Sequence, residues 1–81
     1  VETSETSNFI VYPNPTEGLL NVEAINGGEI NHCVVYDIVG KVIQEEFGSV
    51  TTLDLSILKT GTYLIKIDSD NHSEILQIVK H

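Results

Sequence analysis

From Phe9 onward, every apolar stretch of this chain is soon broken by a turn residue, and none keeps a helical period. Pro13, Pro15, Gly18, Gly27, Gly40, Gly48 and Gly61 punctuate the sequence, and between them apolar and polar side chains tend to alternate. A period of two sends successive side chains to opposite faces of a strand, whereas a helix needs apolar residues three and four apart. Short strands with turn signals this closely spaced specify an all-β sandwich or barrel.

Residues 1–8 are polar and acidic and read as a linker, leaving 9–81 as one domain. The first strand is expected over Phe9 to Tyr12 and stops at Pro13-Asn14-Pro15, because proline cannot donate to a ladder and fixes φ. Gly18 is expected to adopt φ > 0 where the second strand begins. In that strand Leu20, Val22 and Ala24 share one face, with Asn21 and Glu23 on the other. Asn26-Gly27-Gly28 predicts a hairpin. A second hairpin joins His32–Asp37 to Lys41–Phe47 through Ile38-Val39-Gly40, with Gly40 left-handed. Cys33-Val34-Val35-Tyr36 is apolar on both faces and therefore central. Leu53 and Leu55 follow, then a tight crossover over 56–61, then a strand with Tyr63, Ile65 and Ile67 on one face. Residues 68–71 turn the chain into a last strand over 72–80, the seventh.

Composition narrows function mainly by exclusion. The net charge is −8 and all the cationic side chains are lysines, four in number. Nucleic-acid binding needs basic patches that displace counterions, so no nucleic acid is expected as a partner. No apolar window is long enough to span a membrane, so no membrane insertion is expected. The polar N-terminus lacks a signal peptide and suggests a fragment of a larger secreted protein. Cys33 is the sole cysteine, expected as a buried thiol. His32 and Cys33 are strand neighbours on opposite faces and cannot share an ion. The run from Asp68 to Ser73 lacks the Gly and Glu of a calcium loop and reads as a polar turn. Glu45 and Glu46 diverge, and no nucleophile signature occurs. No catalytic residue, metal or cofactor is expected.

Three signatures carry the positive information: Tyr12, Pro13, Asn14, Pro15 and Gly18; Tyr36, Asp37, Gly40 and Lys41; Leu58, Gly61 and Tyr63. The third has the composition of a tyrosine corner, in which a ring past a Gly-containing turn bonds back to upstream backbone. In this order the three resemble the type A C-terminal sorting domains of type IX secretion system cargo proteins of Bacteroidetes, over residues 9–81. The resemblance implies a seven-stranded immunoglobulin-like antiparallel β-sandwich without activity of its own. It also implies an N-terminal cargo domain in the parent chain, passage through the periplasm and an outer-membrane translocon as partner. A sortase-like peptidase then removes the domain, leaving the cargo anchored at the cell surface or released. The motif residues are expected to be mainly structural. Recognition is expected at the last strand, through Ile75, Leu76, Ile78, Val79 and Lys80, more by strand pairing than by charge. The competing reading is an immunoglobulin-like adhesion or carbohydrate-binding module. It needs exposed aromatics, yet Phe9, Tyr12, Tyr36, Phe47 and Tyr63 fall mostly at expected core positions.

Overall fold

The computed structural model describes residues 8–25, 27–70 and 72–81. The expected linker therefore lies outside the described residues except for Asn8, as do Asn26 and Asn71 in two of the expected turns. Among the described residues there are seven strands and no helix. β1 (Phe9–Tyr12), β2 (Leu19–Ala24) and β5 (Thr52–Asp54) form one antiparallel sheet in the order β1-β2-β5. β3 (Ile30–Tyr36), β4 (Val42–Phe47), β6 (Gly61–Ser69) and β7 (Ser73–Lys80) form the other, in the order β4-β3-β6-β7. The two sheets pack as an immunoglobulin-like sandwich.

The alternation seen in the sequence is what fills the space between them. Phe9, Leu20, Val22, Leu53 and Leu55 point inward from the smaller sheet and its margin. Ile30, Cys33, Val35, Ile65, Ile67 and Ile78 meet them from the larger one. β3 lies between β4 and β6 and is buried on both faces, as its apolar run requires. Val34, on the outer face, is screened by the side chains of its neighbouring strands. Burial pushes the Cys33 thiol up to about 12, aided by the nearby Asp68 and Glu46 carboxylates, so it stays protonated near neutrality.

Three local expectations need correction. The turn at Gly27 (φ +85°) is not a hairpin, because β2 already pairs with β1 and β5 and has no free side for β3. The chain instead crosses from one sheet to the other there. Gly18 is not in a positive-φ conformation; it is small because the Ser56 backbone and Cβ press on it. A Cβ added there would stand 3.2 Å from the Ser56 Cβ. Finally, Phe47 and Tyr12 are exposed, Phe47 at 72%, so the aromatics are less internal than their apolar character suggested. Phe47 sits on the outer face of the edge strand β4, where its ring stacks on His32 at 4.5 Å.

Asn8, the last residue of the expected linker, is tied into the fold. Its N–H donates to Glu74 Oε1 at 2.9 Å and its carbonyl accepts from the Ile25 N–H at 2.8 Å.

Candidate functional site: the motif end of the sandwich

The topology gathers all three signatures at one end of the sandwich. β1 finishes and β2 starts there, and the turn between β3 and β4 projects from the same end. Tyr36 lies opposite Leu64, and Leu64 opposite Gln77. Gly61 opens β6 opposite Lys80, the last residue of β7. Segments far apart in sequence thus become neighbours.

Each signature closes its turn by a distinct device. In the second, Asp37 Oδ1 accepts from the Val39 N–H at 3.0 Å and the Lys41 N–H at 2.9 Å. The Gly40 N–H donates to the Asp37 carbonyl at 3.0 Å, and Gly40 sits at φ +93°, which a side chain would resist. Tyr36 and Lys41 flank this turn, with Lys41 exposed. In the third, Leu58 packs against the core and the Tyr63 hydroxyl donates to the Lys59 carbonyl at 2.7 Å. That bond spans the turn before β6, as a tyrosine corner does.

The first signature does something local reading does not reveal. Both of its prolyl bonds, Tyr12–Pro13 and Asn14–Pro15, are cis. Between and after them the chain lies along β7 on the side away from β6. The Asn14 side chain accepts from the Val79 N–H at 2.9 Å and donates from Nδ2 to the Gln77 carbonyl at 3.1 Å. The Thr16 N–H donates to the Val79 carbonyl at 2.9 Å, and the His81 N–H to the Thr16 carbonyl at 2.8 Å. Thr16 and Lys80 form a parallel bridge. An edge strand presents a row of unpaired main-chain groups. Here the outward groups from the Gln77 carbonyl to the His81 N–H are bonded to residues 14 and 16. One side-chain amide and one backbone residue stand in for a missing strand.

Thr16 escaped the sequence reading although it is fully buried. Its hydroxyl donates to the Leu19 carbonyl at 2.7 Å and accepts from the Gly18 N–H at 3.1 Å. The available signal was the Thr-Glu-Gly order, since a Thr hydroxyl commonly receives an N–H two residues on. Leu55 donates to the Gly18 carbonyl at 2.7 Å, joining this turn to the segment before the third signature.

The residues expected to carry recognition divide by face. Leu76 is half-buried and Ile78 fully buried against the core; Lys80 is only 6% exposed and its ammonium donates to the His81 carbonyl at 3.0 Å. Ile75, 59% exposed, and the half-buried Val79 face outward. Lys80, expected among the recognition residues, is therefore turned inward. Tyr12 donates its hydroxyl to Glu23 on β2, which holds that hydroxyl above its ordinary pKa.

A second polar cluster lies on the outer face of the four-stranded sheet. His32 Nε2 is 2.7 Å from Glu45 Oε2 and Nδ1 is 3.1 Å from Asp68 Oδ2. Two carboxylates can both be satisfied only if both ring nitrogens donate, which is the imidazolium form. The hydrogen bond to Glu45 and then that to Asp68 raise the His32 pKa above its ordinary value. Asp68 is lowered, first by the Ser73 hydroxyl and also by His32. A raised histidine contributes stability that is fully present below about pH 6.5 and is lost as pH climbs through the folded-state value. Asp68 acts oppositely, its contribution disappearing in acid. Thermal unfolding from about pH 5 to about pH 8.5 should show the parent losing its advantage over His32→Gln as pH rises. A constant difference between the two would contradict this assignment. Among the described residues, no three His, Cys, Asp or Glu side chains converge as metal ligands.

What this geometry offers is a set of braced turns around the end of β7. The secretion system C-terminal sorting domain family matches residues 10–81, and the chain belongs to that family. It is a sorting domain of the type IX secretion system, a family of signals and not of enzymes. The family implies a secreted protein bound for the cell surface or the extracellular space. No curated protein is a significant match to the chain.

Proposed function

We propose that this domain directs a cargo, joined to it in the parent chain, from the periplasm through the type IX outer-membrane translocon. A sortase-like peptidase then removes it at the cell surface, and the cargo is anchored or released. The observation that carries the reading is the family match over residues 10–81, which spans all three signatures and the last strand. Contact with the translocon falls on the outward side of β7 around Ile75 and Val79, because Leu76, Ile78 and Lys80 face the interior. The motif residues from Tyr12 to Tyr63 serve that contact indirectly, by holding the turns and the strand in place.

The test fuses the whole chain to a periplasmic reporter in a type IX-competent bacterium. The reporter should reach the cell surface, and its retention in the periplasm would reject the sorting role. Ile75→Lys alters an exposed side chain and should change stability by no more than about 0.5 kcal/mol. If the outward side of β7 is read, that variant lowers export severalfold while its thermal transition stays put. Unchanged export would move recognition elsewhere on the domain.

A further inference from the structure

The sandwich has four strand edges, and they are not equally available. β1 is short and ends at Pro13; β5 is shorter still, and its Asp54 carbonyl already accepts from the Gln44 side chain at 3.2 Å. β7 is sealed by Asn14 and Thr16 along residues 77–81. β4 is bounded by β3 on one side, and among the described residues no strand pairs with its other side.

Its register shows which groups face outward. The Gly48 N–H donates to the Asn31 carbonyl at 3.0 Å, and Cys33 pairs with Glu46 and Val35 with Gln44. In an antiparallel ladder such pairs alternate, so the N–H and carbonyl groups of Glu45 and Phe47 point away from β3. Natural edges are commonly guarded by lysine, proline or a covering loop. β4 contains neither residue and exposes Val42, Ile43 and Phe47, continuing into Ile38 and Val39 at the hairpin tip. Its only charges are Glu45 and Glu46.

We infer that β4 is a strand-addition site for an extended segment of a partner protein that alternates cationic and apolar residues. The carboxylates select the occupant. A second copy of this chain would set Glu45 and Glu46 against their own counterparts, on a chain whose net charge is −8. The chain's residues 1–7 are acidic and nearly devoid of apolar side chains, so they do not fit either. Alternation puts the partner segment's cationic side chains on one face, beside Glu46, because Glu45 on the opposite face already pairs with His32 at 2.7 Å. The segment's apolar residues cover Phe47 and Val42, while its main chain bonds to Glu45 and Phe47. This surface is defined by edge geometry and charge and stands whether or not the chain directs export.

The isotopically labelled 81-residue chain is titrated with a short peptide of alternating Lys and Val, and separately with its Glu/Val counterpart. The Lys/Val peptide should shift the amide signals of Glu45 and Phe47 and slow their hydrogen exchange by about tenfold, an effect that weakens with added salt. Glu46→Lys should cut the affinity for this peptide at least about threefold without moving the thermal transition. Equal binding of both peptides, no protection in β4, or protection centred on Ile75 would overturn the inference.

Discussion

A chain lacking residues 77–81 should fail to fold, and export of a fused reporter should fail with it. The deletion removes Ile78, whose complete burial contributes about 1.5–3 kcal/mol. It strips Gly61, Thr62, Tyr63 and Leu64 of their partners in β7. It also removes every bond that seats Asn14 and Thr16 on that strand. A small domain has only about 5–15 kcal/mol of net stability in total, so these losses together exceed what the remainder can absorb. Circular dichroism and hydrogen exchange should report an unfolded chain. A truncated protein that keeps a cooperative transition within about 5 °C of the parent would contradict the account of this seam. Because folding and export fall together here, truncation alone cannot locate the recognition surface; the substitution at Ile75 is needed for that.

The second large effect is expected from Asn14→Ala. The alanine loses the acceptor for the Val79 N–H and the donor for the Gln77 carbonyl. Two such bonds are worth about 1–3 kcal/mol together, or roughly 10 °C in a domain of this length. The exposed main chain of β7 also becomes free to pair, so the variant should self-associate more readily than the parent. Asn14→Asp separates the two contributions. It keeps an acceptor for Val79 but sets a carboxylate against the Gln77 carbonyl, so its deficit should shrink as acid protonates the new side chain. Differential scanning calorimetry on the three proteins decides the matter, and transitions within about 2 °C of each other would show that the amide does not brace the edge.

Much of the sandwich was legible because local chemistry determined it. The hairpin around Gly40 combines an aspartate that receives two N–H groups with a glycine in a left-handed turn, both readable from neighbouring residues. The same holds for the corner at Tyr63 and for the alternation that buries Leu20, Val22, Ile65 and Ile67. What could not be read were consequences of distant segments meeting. Gly27 looks like a hairpin residue because crossovers and hairpins use the same glycine; the difference is that β2 has a neighbour on each side. Gly18 is explained by Ser56, far away in sequence, and not by its own dihedral angles. Lys80 stands among the expected recognition residues, yet the strand's register turns it inward. The candidate site was visible as three signatures, but their convergence at one end and the role of Thr16 required the fold.

The bonding of residues 14–16 to residues 77–81 ties the turn after the first strand to the last strand of the sandwich. Cleavage between them, or incomplete folding of the intervening strands, would leave the seam without one of its halves or without the framework that aligns them. An export apparatus that engages β7 would then act as an inspector, releasing only precursors whose tail domain is whole. In that view the braced edge is a certificate of integrity as well as an address.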